Sequence, residues 1–200
     1  MEIVSKRKAI KTKASEIVEY WTKAAVRPII NVMWEDAKTH CWRCGCRHKL
    51  QRCHIVPDSL NGEDTPSNFV LLCQECHAEG PNVTDPGVMW DWIAAYDAPI
   101  DGSFWILRGL EEYQRIYHHP FERDVDDVLF RANAPELTIE EIKERYFKAM
   151  EQSSVHFAQS YPNAATIAGT LRIFLRQHRI MQKMRVKSKF VCKFLQVIIP

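Results

Sequence analysis

Two pairs of cysteines with the spacing Cys-x-x-Cys constrain this chain more than any other feature. Cys41 and Cys44 form the first pair, Cys73 and Cys76 form the second, and 28 residues lie between them. Two residues between paired cysteines let both sulfurs reach one ion, and a tetrahedral zinc site takes four ligands. The pattern therefore predicts one structural zinc site of four thiolates, and the long intervening segment is expected to carry structure of its own.

Other interpretations of the cysteines remain open. They could be buried free thiols or disulfides, but the start of the chain, Met1 to Lys13, is basic and lacks the apolar core of a secretory signal. A chain of 200 residues can also bury a core without disulfides. Cys46 could replace Cys44 as a ligand, although the spacing and the turn-forming Gly45 favour Cys44. Cys192 is far from both pairs and is expected to be an ordinary apolar residue.

The segment between the cysteine pairs predicts a β-loop-β-helix unit. The apolar residues Ile55-Val56 and Phe69 to Leu72 predict two short strands, joined by a polar loop that contains glycine and proline. A short helix is expected to begin at Gln74 and to end at Gly80-Pro81. The intervening segment would thus place a small sheet and one helix between and after the zinc ligands.

Three stretches of sequence, CWRCG, RCHIVP and NFVLLCQECH, together resemble the HNH endonucleases, the ββα-metal nuclease family. The resemblance covers about residues 38–84. It implies that His54 is the general base that activates water, and that Asn68 braces the loop and orients that histidine. It further implies that His77, on the helix, binds a catalytic divalent ion (Mg²⁺, Mn²⁺ or another transition metal), and that the four cysteines bind the structural zinc.

The residue types suit that chemistry, although each residue also has a structural interpretation. A neutral histidine with a pKa of about 6.5 can accept a proton from water, and a hard divalent ion can neutralise charge on a phosphate. Alternatively, His54 could be a solvated or structural histidine, and His77 could be the fourth ligand of a three-cysteine, one-histidine zinc site. Asn68 could be a turn or capping residue.

One residue departs from the family pattern. Cys53 precedes the general base, where the family often has an aspartate that binds the catalytic metal. Because a thiolate suits soft metals and magnesium prefers oxygen, Cys53 could bias the site toward manganese, nickel or zinc. Alternatively, activity has been lost, Cys53 is only a small buried neighbour of His54, or a nearby acid replaces the aspartate. The candidate acids are Asp58, Glu63, Asp64 and Glu75.

Charge is distributed unevenly along the chain, although the net formal charge is only +2. Residues 85–151 carry 7 basic and 15 acidic side chains, whereas residues 152–200 carry 8 basic and none acidic. Basic residues at helical spacing in this tail predict a face that contacts DNA phosphates, the alternatives being a solvated face or one docked on the acidic segment. The residues of that face are Arg172, Arg176, Arg179 and Lys183. A second cluster of the same kind consists of Lys6, Arg7, Lys8, Lys11 and Lys13.

The predicted fold class is α+β, a small zinc-braced ββα-metal module embedded in a mainly helical protein. Residues 1–30 are assigned to a basic N-terminal segment and helix, residues 31–97 to the nuclease module, and residues 98–200 to a mainly helical C-terminal region. Apolar spacing and capping signals predict the helices. These helices span Ser15 to Trp21 with a capping serine, Val88 to Ile93, Phe104 to Tyr117, a segment from Thr138, and Ala164 to Met184. The apolar and β-branched end, Phe190 to Pro200, is compatible with a strand, an association surface or a disordered segment.

The sequence as a whole predicts a metal-dependent endonuclease that acts on DNA. One alternative is a zinc-dependent nucleic-acid-binding module without catalysis, and another is a protein-interaction adaptor that uses the acidic segment and the apolar tail. The presence of both His54 and His77 favours the enzyme, since a binding module needs neither. No apolar run approaches the roughly 20 residues of a membrane span, and a cytoplasmic location is expected. The oligomeric state is open, with a homodimer as one alternative.

Overall fold

A computed structural model describes residues 9–96, 103–132, 139–155 and 161–180 of the chain. The chain divides into two compact units, Met1–Pro99 and Ile100–Pro200. The described part of the first unit holds a two-stranded antiparallel sheet, three α-helices and two single-turn 3-10 helices, Asp58–Leu60 and Pro66–Asn68, and that of the second unit is helical. This composition confirms the predicted α+β fold class.

The first unit contains five elements that frame the two cysteine pairs. They are α1 (Ala14–Lys23), β1 (Gln51–His54), β2 (Phe69–Leu72), α2 (Gln74–Glu79) and α3 (Pro86–Ala94). The predicted serine cap of α1 is wrong, because the residue before the helix is Lys13, whose amide donates to the Glu16 carboxylate at 2.8 Å. Asp85 caps α3 by accepting a hydrogen bond from the amide of Gly87 at 2.8 Å.

The first strand lies earlier in the chain than the sequence predicted. β1 pairs with β2 from Gln51 opposite Leu72 to His54 opposite Phe69, so Ile55-Val56 follow the strand instead of forming it. Both polar groups of the Val56 backbone are bound by the side chain of Asn68, which ends the ladder at this point. The second strand and the helix start at Gln74 were predicted correctly.

Aromatic and aliphatic side chains join α1 and α3 to the sheet and the first cysteine pair. Ile17 of α1 and all four residues of β2 are buried. The indole of Trp21 donates to the carbonyl of Phe69 at 3.0 Å, and its ring packs edge-on against Trp90 of α3. Trp42, fully buried between the first two cysteines, stacks near Trp90 with ring centroids 6.5 Å apart. The turn that carries Cys41 and Cys44 therefore packs on a hydrophobic layer.

The described part of the second unit consists of four helices. They are α4 (Ser103–Tyr117), α5 (Phe121–Ala132), α6 (Ile139–Met150) and α7 (Ala164–Ile180). α4 and α7 cross closely at Gly109, where an added Cβ would lie 2.2 Å from the Cγ2 atom of Ile167. No helix within the described ranges is both long enough and apolar enough to cross a bilayer. The capping residue Thr138, the helix end at residues 181–184 and the apolar end at residues 190–200 lie outside the described residues.

Candidate metal centre and active site

The four predicted zinc ligands come together in the first unit. The Sγ atoms of Cys41, Cys44, Cys73 and Cys76 all lie within 4.8 Å of one another, and all four residues are buried. The Sγ atoms of Cys44 and Cys73 are 3.9 Å apart. A tetrahedral zinc ion with Zn–S bonds of about 2.3 Å separates its sulfurs by about 3.8 Å. The donor type, number and spacing therefore fit a zinc ion, and the cluster could hold a metal ion.

Tight turns bring each cysteine pair into this cluster. Gly45 adopts a positive φ of 73°, and its amide donates to the carbonyl of Cys41 at 2.9 Å. Cys73 caps α2, and its sulfur accepts a hydrogen bond from the amide of Cys76 at 3.4 Å. Burial raises the pKa of Cys41, but hydrogen bonds with the other three thiols outweigh it and hold that pKa well below its usual value. The same hydrogen bonds raise the pKa of Cys44 and that of Cys76, so the four clustered thiols favour a single thiolate when no cation lies among them.

Cys46 lies outside the cluster. Its thiol donates to the carbonyl of Cys44 at 3.5 Å, and its own carbonyl accepts a hydrogen bond from the amide of Cys41 at 3.0 Å. Cys46 is therefore a buried residue of the turn, and the structure groups Cys44 with the second pair, as the spacing predicted.

His54 is the last residue of β1, and its ring is only partly exposed. The imidazole packs against Phe69, with ring centroids 4.4 Å apart. Burial lowers the pKa of His54, and the negative charges of Asp58 and Asp64 partly oppose this shift. Because burial dominates, the neutral imidazole is favoured at this position.

Asn68 fixes the loop that follows His54. Its Oδ1 atom accepts a hydrogen bond from the amide of Val56 at 2.9 Å, and its Nδ2 atom donates to the carbonyls of Val56 at 3.0 Å and Glu63 at 2.9 Å. Asn68 thus ties together both ends of the loop directly after the histidine. Gly62 is required here, because an added Cβ would lie 1.7 Å from the carbonyl oxygen of Val56.

His77 lies on α2, and one of its ring nitrogens is already bound. The Nδ1 atom lies 2.6 Å from the Oε1 atom of Gln51 on β1. An amide oxygen can only accept, so this contact assigns the proton to Nδ1 and leaves the lone pair of Nε2 for a metal. Burial lowers the pKa of His77, and the nearby charge of His54 lowers it further. The contact with Gln51 and the position of His77 outside the four-cysteine group disfavour its use as a zinc ligand.

Gln51 was not among the residues predicted from sequence. It lies two residues before Cys53 on the same side of β1, because side chains alternate along a strand. Had the strand been predicted at Gln51–His54, the alternation of side chains would have placed Gln51 on the same side as Cys53. The strand was predicted at Ile55-Val56 instead. Gln51 is the residue of this site that sequence reasoning missed.

Cys53 has the geometry of a packed residue. Its side chain is 5% exposed, and its thiol donates to the carbonyl of His54 at 3.6 Å. Burial raises the pKa of Cys53 to about 12, with a smaller contribution from the charge of Cys41. The uncharged thiol is therefore the form present at neutral pH. This surrounding agrees with the interpretation of Cys53 as a buried neighbour of the histidine.

The candidate acids do not complete a second metal site. Apart from the four cysteines, the described residues contain no group of three or more His, Cys, Asp or Glu side chains arranged to hold an ion. The carboxylate of Asp64 instead accepts hydrogen bonds from the amides of Lys11 and Thr12, at 2.7 and 3.2 Å. An ion at His77 would thus depend on water and substrate for further ligands.

Arg172, predicted to contact DNA, points into the second unit. Its Nη1 atom lies 2.6 Å from Oδ2 of Asp124 and 3.2 Å from the hydroxyl of Tyr113, and the guanidinium lies over the ring of Tyr117. For Arg172 this arrangement agrees with the alternative in which the basic face docks on the acidic segment, and contact of Arg172 with DNA stays a prediction. Arg176 is exposed. The side chain of Arg179 and all of Lys183 lie outside the described part of the chain.

The comparison with known families agrees with this site. Residues 40–80 match the family model described as HNH endonuclease. That segment includes all four cysteines and the residues His54, Asn68 and His77, so this part of the chain is an HNH endonuclease domain, as the sequence motifs indicated. No curated protein and no solved structure matches the chain significantly.

Proposed function

We propose that this protein is a metal-dependent endonuclease that hydrolyses phosphodiester bonds in DNA. The observation that carries the proposal is the arrangement of the two histidines within the matched domain. His54 ends β1 beside a loop fixed by Asn68, and His77 stands on α2 with Nε2 left for a ligand. The charge of His54 also lowers the pKa of His77, which supports the assignment of both histidines to one site.

Each of these residues has a defined role in the proposal. His54 accepts the proton of the attacking water, and its neutral form is the one that can do so. Asn68 holds the loop after His54, so that the base keeps its position relative to the helix. His77 would hold a divalent ion through Nε2. That ion would supply positive charge to stabilise the phosphate and the departing oxygen.

The choice of metals follows from the ligands. Four thiolates in a tetrahedral arrangement favour zinc in the structural site. A single imidazole at the catalytic site suits manganese, nickel or zinc better than magnesium, which prefers oxygen. We place the protein in the cytoplasm, because metal-binding thiols persist in a reducing compartment.

A nicking assay tests the proposal. Purified protein is incubated with supercoiled plasmid in Mg²⁺, Mn²⁺ or Ni²⁺, and nicked and linear products are quantified. His54→Ala should lower the cleavage rate by roughly 10²-fold or more, the usual effect of losing a general base. His40→Ala, which removes a histidine bonded only to its local turn, should cleave at the wild-type rate.

The zinc content and the DNA affinity of both variants should equal those of the wild type. Wild-type cleavage by His54→Ala would remove His54 as the base. A wild-type protein that cleaves nothing with any of the three ions would contradict the endonuclease proposal.

A second candidate function is a nucleic-acid-binding module without catalysis. The observation in its favour is Cys53, a buried neutral thiol where the family often has a metal-binding aspartate. Duplex DNA binding by a zinc-loaded protein that fails to nick plasmid with every ion would favour this candidate.

A further inference from the structure

Residues 9–13, which we call the N-terminal strap, lie against the HNH domain although they fall outside the matched residues. The side chain of Arg52 on β1 binds the backbone of the strap. The Nη1 atom of Arg52 donates to the carbonyl of Thr12 at 2.8 Å and lies 3.4 Å from that of Ile10. These bonds join the strap to the strand that ends in His54.

Asp64 provides a second anchor for the strap. Its carboxylate accepts hydrogen bonds from the amides of Lys11 and Thr12, and the Thr12 hydroxyl donates to the Asp64 carbonyl at 3.2 Å. The bond from the Lys11 amide, followed by the bonds from Thr12, lowers the pKa of Asp64. Asp64 lies in the same loop that Asn68 fixes, so the strap is attached to both the strand and the loop of the active site.

The anchors place the strap on the side of the general base. Arg52 and His54 are two residues apart on β1, so their side chains leave the same face of the strand, about 7 Å apart along it. Asp64 is also close enough to His54 for its charge to raise the pKa of that histidine. Both residues that hold the strap are therefore neighbours of His54.

The strap presents two lysines to solvent. Thr12 is only 6% exposed, whereas Lys11 and Lys13 on either side of it are exposed. In an extended segment, alternate residues share one face, so the two lysines point away from the domain together. Neither ammonium group forms an ion pair within the described ranges. Three further cations, Lys6, Arg7 and Lys8, precede the strap in sequence.

We propose that the strap is a DNA-binding surface in which Lys11 and Lys13 contact backbone phosphates next to the bond that is cut. This proposal rests on the proposed endonuclease function. A fixed backbone with outward ammonium groups positions charge without base readout, so the contacts are independent of DNA sequence. The strap thereby holds the duplex beside His54, and its cations act on binding instead of on proton transfer.

The salt dependence of DNA binding tests the strap. A fluorescent duplex of random sequence is titrated with protein at several salt concentrations without added divalent ion. Each lost phosphate contact reduces the slope of log Kobs against log salt by about 0.9. The double variant Lys11→Gln/Lys13→Gln should therefore lose about 1.8 units of slope and bind roughly tenfold or more weakly at 0.1 M salt.

Two further variants make the result specific. Arg27→Gln/Lys38→Gln removes two exposed cations of the same unit outside the strap and should keep the wild-type slope. Lys11→Arg/Lys13→Arg keeps the charges and should restore the wild-type slope. Zinc content and melting temperature should be equal in all variants, because all four altered side chains are exposed.

The outcomes separate the strap from the proposed function. An unchanged slope in Lys11→Gln/Lys13→Gln would overturn the strap proposal, and so would an equal loss of slope in the Arg27→Gln/Lys38→Gln control. In either case, plasmid cleavage by the wild-type protein would still support the endonuclease proposal. A wild-type protein that neither cleaves nor binds DNA would overturn both. Both proposals are supported if the slope falls only in Lys11→Gln/Lys13→Gln and the wild-type protein cleaves plasmid.

Discussion

The Nδ1 atom of His77 on α2 lies 2.6 Å from the Oε1 atom of Gln51 on β1. This contact connects the helix of the HNH domain to the strand that carries His54, and it determines which nitrogen of His77 can bind an ion. Outer hydrogen bonds of this kind orient metal-binding histidines and raise their basicity. Gln51 is therefore a positioning residue in the proposed endonuclease.

Gln51→Leu should weaken catalytic metal binding. Without the acceptor, the His77 ring loses its fixed tautomer, and loss of such a partner typically costs 10- to 100-fold in metal affinity or activity. We expect the Mn²⁺ concentration for half-maximal nicking to rise by roughly 10-fold or more, while the rate at saturating Mn²⁺ stays closer to that of the wild type.

Two variants control this measurement. Gln51→Glu retains an acceptor for Nδ1 and should stay nearer to the wild type than Gln51→Leu. Gln74→Leu replaces an exposed glutamine at the start of the same helix and should not change the Mn²⁺ requirement. An unchanged Mn²⁺ requirement in Gln51→Leu would show that His77 needs no orientation by Gln51.

Cys73→Ser and Cys46→Ser should differ sharply, although both remove a buried thiol. Wild-type protein should contain about one tightly bound zinc per chain. Cys73→Ser should lose it and unfold the domain, because metal binding and folding are coupled in such sites. Cys46→Ser should keep its zinc, since the thiol of Cys46 donates to the carbonyl of Cys44 and Cys46 lies outside the four-cysteine group. The zinc content of the purified variants tests this difference. Equal zinc loss in both would mean that Cys46 takes part in the site.

Replacement of Cys53 tests whether it is a ligand or a packed residue. The buried, neutral thiol predicts that Cys53→Ala leaves the relative nicking rates in Mg²⁺, Mn²⁺ and Ni²⁺ unchanged. Cys53→Asp should destabilise the domain by roughly 3 kcal/mol or more, the cost of an unpaired buried charge, as measured by thermal unfolding. A shift of Cys53→Asp toward Mg²⁺, with normal stability, would instead place residue 53 at the catalytic ion.

Arg172 and Arg176 provide a matched pair on α7. Arg172→Gln leaves the carboxylate of Asp124 without its guanidinium and should destabilise the second unit by about 2 kcal/mol, less than the roughly 3–5 kcal/mol of a fully buried pair. Arg176→Gln removes an exposed charge and should leave the melting temperature unchanged. The reverse pattern, with a stable Arg172→Gln variant that binds DNA weakly, would return Arg172 to the DNA surface.

The parts of the site that lie close in sequence could be predicted from sequence. The spacing of Cys41 with Cys44 and of Cys73 with Cys76 determines the turns that aim two sulfurs at one ion. β2 and α2 were predicted because an apolar run and a closing Gly80-Pro81 are local information. The prediction placed β1 too late in the chain. The apolar residues Ile55-Val56 indicate burial, but which residues form the strand depends on their pairing with β2.

The tertiary structure alone decided the partners that are distant in sequence. Gln51 meets His77 across 26 residues, Asp64 meets Lys11 across 53, and Arg172 meets Asp124 across 48. The identity of a polar residue does not indicate which group distant in sequence it will bind. The sequence by itself therefore determined which four cysteines cluster and which two histidines are the candidates for catalysis. Chain packing decided how His77 is oriented, where the strap lies and why Arg172 points inward, because each depends on elements brought together only by the fold.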